Sequence, residues 1–163
     1  MVDIPTLDIE DYDPDLNEEP ESIEDKSGGA LTYAIVGAGQ GGGRMAKAFY
    51  DMGYTKTIAV NTARSDLNGL DIPEDQKFLV DEHGEQGAGK DQAKAEAAIE
   101  KKEQEVFNKF REVFGTNVDR IMICLGVSGG SGGGTVNTLI KVAKKYFIYI
   151  GVEDVDQRVG VIA

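Results

Sequence analysis

The segment Leu125-Gly126-Val127-Ser128-Gly129-Gly130-Ser131-Gly132-Gly133-Gly134-Thr135 joins an apolar run, residues 118–125, to an apolar-periodic segment, residues 136–146. That order reads as strand, glycine loop, helix. Glycines leave backbone N–H groups unshielded and admit positive φ. At a helix N-terminus such groups attract an anion, above all a phosphate. A flexible Gly/Ser linker is the bland alternative. Its place between a buried strand and an amphipathic helix argues against that.

The same layout recurs along the chain. Tyr33-Ala34-Ile35-Val36 is a short strand that runs into Gly37-Ala38-Gly39-Gln40-Gly41-Gly42-Gly43. A helix over 44–52 follows, with Met45, Ala48, Phe49 and Met52 on one face, and Gly53 stops it. Strands are expected at 57–60, ending in Asn61-Thr62, and at 77–80. A polar loop, 81–90, holds Gly84, Gly87 and Gly89. Residues 91–114 read as one long charged helix whose apolar side is Ala98, Ile99, Val106, Phe107, Phe110 and Phe114, with Asn108, Lys109 and Arg111 facing solvent. A fourth strand covers 120–125, a helix runs from about Gly133 to about Tyr149, and a fifth strand covers 159–162. The alternation predicts an α/β fold, a Rossmann-like parallel sheet with helices on both faces. In such sheets the loops after the strands line the ligand crevice. Here those loops are 37–43, 61–66, 84–91 and 126–134.

Charge divides the chain in two. Residues 1–28 hold eleven acids against Lys26, so this stretch carries about −10 of the total of −12. Prolines 5, 14 and 20 break helices there. It reads as an acidic, disordered extension to a partial nucleotide-binding domain at 29–163. Its interspersed apolar residues leave open a second role, docking on an adaptor or a neighbouring subunit. The acids argue against nucleic-acid binding by this segment. No run approaches the length of a membrane span, and the acidic N-terminus is no signal or transit peptide. Cys124, the one cysteine, falls in a buried strand and fits a reducing cytoplasm. His83 lies in a polar loop, and its default is a solvated side chain. The chain stops just after a strand, which reads as truncation.

Three readings compete for the glycines. Gly37, Gly39 and Gly42 fit G-x-G-x-x-G after a strand, the pattern of a dinucleotide-binding oxidoreductase using NAD or FAD. That pattern wants an acid near the end of the second strand, where this chain has Asn61. Gly84 to Lys90 fit G-x-x-x-x-G-K, but Asp91 stands where a P-loop needs Ser or Thr for magnesium. The third reading uses every loop. Ser128-Gly129-Gly130-Ser131-Gly132-Gly133-Gly134 resembles the tubulin/FtsZ signature [S/A/G]-G-G-T-G-[S/A]-G, with Ser131 for Thr and Gly133 for the small residue. The loop at 36–43 is similar to that family's first phosphate loop, with Gln40 where tubulins carry Gln. Ala59-Val60-Asn61-Thr62 is similar to its A-I-N-T, and Gly87-Ala88-Gly89-Lys90-Asp91 to its G-A-G loop. Order and spacing agree over residues 31–163, so the chain resembles tubulin/FtsZ-like GTPases, with Gln40 and Lys90 similar to the divergent phage and plasmid members.

The resemblance implies a site for GTP or GDP with Mg2+. Backbone N–H groups of Gly39, Gln40, Gly41, Gly42 and Gly43 would hold the α- and β-phosphates. Gly129, Gly130, Ser131, Gly132, Gly133 and Gly134 would wrap the phosphates, helped by the Ser131 hydroxyl and the helix dipole. Gly87, Ala88, Gly89 and Lys90 would sense the γ-phosphate, Asn61 and Thr62 would close the site, and Gln40 would sit near magnesium. Where cellular FtsZ has an Asn that helps hold the nucleoside, this chain has Arg44. The family's catalytic acids act on the next subunit's nucleotide and lie after a central helix that this chain does not reach, so none is assigned. The expectation is a head-to-tail filament with hydrolysis at the subunit interface, serving segregation, positioning or division. A tubulin-like structural or adaptor module without turnover remains the non-catalytic alternative.

Overall fold

The computed structural model describes residues 23–80, 91–126 and 128–163. Five apolar runs form strands: β1 (Tyr33–Ala38), β2 (Thr57–Asn61), β3 (Lys77–Leu79), β4 (Arg120–Leu125) and β5 (Val159–Ile162). They make one sheet in the order β3-β2-β1-β4-β5, every pair parallel. Val36 of β1 stands between Ile58 of β2 and Ile123 of β4. The central strands are apolar on both faces because both faces are covered.

Five helices supply that cover: α1 (Gly39–Asp51), α2 (Arg64–Asn68), α3 (Gln92–Lys101), α4 (Glu103–Phe114) and α5 (Gly130–Tyr149). Strand side chains alternate between the two faces. Ala34, Val36 and Ala38 join Phe110, Phe114, Leu139 and Tyr146 in the larger core under α4 and α5. Ile35 and Cys124 point the other way and pack with Ala46 of α1. In α4 the buried set is Val106, Phe110, Val113 and Phe114, one stripe at helical spacing.

Several expectations change. Helix α1 begins at Gly39 and α5 at Gly130, so most of both glycine stretches is helix and not loop. The apolar face of α1 is consequently rotated. Gly42, Gly43 and Ala46 are buried, whereas Ala48 and Met52 are exposed. Small residues win that face because they let the helix axis approach the sheet. The expected helix over 91–114 is two helices that meet at Lys102. The break lets α3 lie on α5 through Ala95 while α4 packs separately against α5 and the sheet. Lys109 and Arg111 are half-buried, and only Asn108 of the three is exposed. The Arg111 guanidinium lies 4.5 Å from the centre of the Tyr149 ring, a cation–π contact. Strand β5 is at the edge of the sheet, paired with β4 alone. Helix α2, between β2 and β3, was not expected.

Buried polar groups in the body are matched. Lys56, 2% exposed, donates from Nζ to the carbonyl oxygens of Phe114 (2.8 Å) and Asn117 (3.0 Å), where α4 leaves carbonyls without helical partners. Burial pulls its pKa below the ordinary lysine value, against the opposing charge of Asp25. Tyr146 donates its hydroxyl to the Gly115 carbonyl at 2.7 Å. Ahead of β1, Ile23 packs on the larger core and the Lys26 N–H donates to the Gly53 carbonyl at 3.0 Å. Residues 23–26 thus strap across the turn at 53–55.

Candidate functional site

Strand order 3-2-1-4-5 reverses direction between β1 and β4, and in such sheets that switch point, beyond the strands' C-terminal ends, is where a ligand crevice lies. The chain leaving β1 enters α1, and the chain leaving β4 enters α5. The two glycine-rich stretches therefore flank the crevice. Neither helix has a side-chain cap, and neither carries an acid in its first turn. The other helices differ: Asp91 caps α3 by accepting from the Lys94 N–H, and α2 and α4 carry acids in their first turns. The positive ends of α1 and α5 are thus left without a capping side chain or a first-turn acid of their own, with N–H groups to offer an anion.

Glycine is required at the seam between them. Gly39 has φ of +71°, and a Cβ there would stand 2.7 Å from the Gly132 nitrogen. A Cβ on Gly132 would in turn approach the Ala38 and Gly126 carbonyl oxygens at 3.0 and 3.2 Å. At Gly41 the surroundings are open: a Cβ would meet only Gly126, at 3.5 Å. Gly41 and Gln40 are both exposed. At Gly41, Gly126 and Gly129 main chain thus meets main chain, a surface that offers an incoming phosphate group backbone and no side chain of its own.

Other expected site glycines are spent on packing. A Cβ on Gly42 would collide with the Cys124 carbonyl, and one on Gly43 would stand 3.0 Å from Leu70 Cδ1. Gly133 and Gly134 lie under Gln92 and Ala95 of α3, and the Gly133 N–H donates to the Gly129 carbonyl at 3.2 Å. These four set how closely the helices approach. Gly130 is buried in the first turn of α5, and Arg44 is exposed on α1. Gly87, Ala88, Gly89 and Lys90 lie outside the described residues, as do His83 and residues 1–22.

The polar side chains do converge. Thr62, 2% exposed, and Ser131 share a hydrogen bond between hydroxyls at 2.6 Å, joining the end of β2 to the first turn of α5. Thr135 donates to the Ser131 carbonyl at 2.7 Å. Asn61, 3% exposed, accepts the Ala63 N–H on Oδ1 at 3.1 Å, an Asx turn that starts α2. Its amide donates to Asp66 Oδ2 at 3.1 Å. Gln40 Nε2 donates to Asp66 Oδ1 at 3.4 Å. The sequence reading missed Asp66, although an Asn-Thr turn followed at helical distance by an acid was a visible cue. It also missed Gln92, which nothing in the sequence singles out. For the dinucleotide reading, the residue ending β2 is an amide, and the nearby carboxylate is engaged by Gln40 and Asn61. Asp91 has a capping role in place of the hydroxyl a P-loop requires. Among the described residues no cluster of three or more His, Cys, Asp or Glu side chains could hold a metal ion, and no helix is long and apolar enough to cross a membrane.

Comparison with known proteins gives concordant matches. The family model for the GTPase domain of the Tubulin/FtsZ family matches residues 32–153. The tubulin-like protein CetZ1 of Haloferax volcanii is 29% identical over 127 residues, covering 72% of this chain and 32% of that protein. Its GDP-bound monomer superposes with a TM-score of 0.66 at 30% identity, covering 72% of this chain and 39% of that one. CetZ2 of the same organism, solved as a GTPγS-bound protofilament, superposes with a TM-score of 0.63 at 25% identity, covering 81% of this chain and 39% of that one. The chain spans about a third of the length of the curated relatives it matches.

Proposed function

The chain belongs to the tubulin/FtsZ family, and from that premise we propose that it forms the phosphate-binding half of a guanine-nucleotide site in a polymerising cytoskeletal GTPase. The observation that carries this reading is the pair of uncapped, glycine-rich helix N-termini at the switch point of the sheet. Two helix dipoles and a ring of main-chain N–H groups suit a polyphosphate better than any neutral ligand. Gly39, Gln40 and Gly41 meet the phosphates from one side, and Gly129, Gly130, Ser131 and Gly132 from the other. Thr62 holds the Ser131 hydroxyl across the crevice, and Asn61 shapes the turn beneath it. Gly87, Ala88, Gly89 and Lys90 belong to the γ-phosphate side by family resemblance.

Bound Mg2+ would neutralise phosphate charge, and Gln40 carries the side-chain oxygen able to hold it or its waters. No residue of this chain is assigned as a catalytic acid. Hydrolysis belongs to the head-to-tail interface, where a second subunit completes the site. Such heterologous contacts make open filaments, in keeping with the protofilament form of CetZ2. We place the protein in a prokaryotic or phage cytoplasm, with segregation, positioning or division as its work and the acidic extension ahead of the strap at 23–26 as the segment for adaptor docking.

Calorimetric titration with GTP, ATP and NADH tests the site. Binding of GTP is the expected result, and binding of NADH without GTP overturns the reading. Nucleotide-dependent pelleting of the protein tests assembly. GTP binding with neither pelleting nor turnover would favour an adaptor module.

A further inference from the structure

Among the described residues, Asp66 is the side chain that bonds to both amides at the crevice: Oδ1 accepts from Gln40 Nε2 at 3.4 Å and Oδ2 from Asn61 Nδ2 at 3.1 Å. An ionised carboxylate accepts hydrogen bonds and donates none, so only the NH2 end of each amide can face it. Asn61 is pinned a second time, because its Oδ1 accepts the Ala63 N–H. Among the described residues Gln40 has no such second anchor, and it is exposed in the first turn of α1. Its orientation therefore depends on Asp66.

We propose that Asp66 is a positioning residue that fixes the Gln40 amide with NH2 turned inward, so that Gln40 meets the nucleotide site through its carbonyl oxygen. This rests on the nucleotide reading above and gives it a finer chemistry. A carbonyl oxygen repels phosphate oxygens and accepts from a cation or its bound water. Gln40 is thereby committed to the divalent cation and withheld from direct phosphate donation. Helix α2 acts as a bracket in this arrangement, since it carries Asp66 and is itself started by the Asn61 turn. The chemistry at the end of β1 is set by a residue beyond the end of β2.

The test has an arm without nucleotide. Side-chain NH2 resonances of Gln40 and Asn61, assigned by their loss in Gln40→Ala and Asn61→Ala, are recorded in the unliganded chain. Both pairs are expected to move in Asp66→Ala, and an unmoved Gln40 pair overturns the proposal. In the second arm a fluorescent GTP analogue is titrated with and without Mg2+. The gain in affinity from Mg2+ is expected to fall about tenfold in Asp66→Ala, the scale of one hydrogen bond to a charged group. It should fall no further in the Gln40→Ala/Asp66→Ala double variant than in Gln40→Ala alone. Additive losses overturn the proposal, because Asp66 would then act on the ligand itself. If Asp66→Ala does not fold, Asp66→Leu, which keeps the bulk and offers no acceptor, replaces it with the same two outcomes. A wild-type chain that binds no guanine nucleotide removes the functional reading, while the resonance arm still decides how Gln40 is held.

Discussion

Gly39 opens α1 against the backbone of Gly132 in the first turn of α5, so close that a Cβ on Gly39 would stand 2.7 Å from the Gly132 nitrogen. Its φ of +71° adds a second bar to any other residue. The two helix N-termini are thus pressed together at the crevice, and their dipoles act on one place. Gly39→Ala should lose about 1–2 kcal/mol from the left-handed backbone alone. Displacement of Gly132 adds to that, so weaker GTP binding is expected together with a lower Tm. A variant with unchanged Tm by calorimetry would mean that the two N-termini are not in contact.

Gly41 separates function from stability. A Cβ there meets nothing nearer than Gly126 at 3.5 Å, and the residue is helical with ordinary φ. Gly41→Ala should therefore leave stability unchanged or raise it by about 0.5–1 kcal/mol, because alanine favours helix. The added methyl group enters the space between the two glycine stretches. GTP affinity should fall by tenfold or more. Thermal unfolding and a GTP titration of one preparation check both halves, and unchanged affinity would move the phosphates away from Gly41.

The strands were legible because each is a short apolar run bounded by polar or turn residues, and their parallel alignment because they alternate with helices. Arg120–Leu125 and Val159–Ile162 agree with the sequence reading residue for residue. The start of α1 was not legible. Gly39, Gly41, Gly42 and Gly43 have poor helix propensity, and only contact with β4 and α5 makes the first turns helical. Locally the same glycines look like loop. The candidate site shows the same division. Asn61, Thr62 and Ser131 were readable from motif order, and the structure brings Thr62 and Ser131 into contact. The bond between Asp66 and Gln40 was not readable, because it links residues 26 apart and no periodicity encodes it. The packing use of Gly42, Gly133 and Gly134 was hidden for a related reason: a glycine that admits a neighbour and one that admits a ligand are identical in sequence.

Glu103 ties α4 to α5 through Lys141 at 2.7 Å and through Lys145. Burial works to raise its pKa and is the largest single cause, but the two lysine hydrogen bonds and charges together outweigh it and hold the carboxyl below its ordinary value of 4.5. The unfolded chain then binds the more protons in acid. The contribution is complete above the unfolded value and is lost as pH falls through the folded one. Glu103→Gln should lower stability near neutrality by up to about 1 kcal/mol, a Tm change of about 2–4 °C. The gap from wild type should close as pH falls below about 4. A gap that stays constant in Tm measured across the acid range would contradict the ion-pair assignment.

Cys124 reports on the same helix–sheet contact that brings α1 to the crevice. Its thiol is 0% exposed, and burial pushes its pKa up to about 11. The thiolate that reacts with alkylating reagents is therefore scarce in the folded protein at neutral pH, and the sulfur is also shielded. Iodoacetamide should modify Cys124 only through opening of the fold and at full speed in denaturant. Gly42 packs on the Cys124 carbonyl, where no Cβ fits without a shift of main chain. Gly42→Ala should lift α1 from β4 at a cost of about 1–3 kcal/mol, the scale of overpacking. Labelling of Cys124 should then speed up about tenfold for each 1.4 kcal/mol lost, if opening stays fast relative to labelling. Gly41→Ala, one residue away and meeting Gly126 only at 3.5 Å, should leave the rate as it is in wild type or slow it. Equal rates for Gly42→Ala and wild type would show that α1 does not need Gly42 to dock.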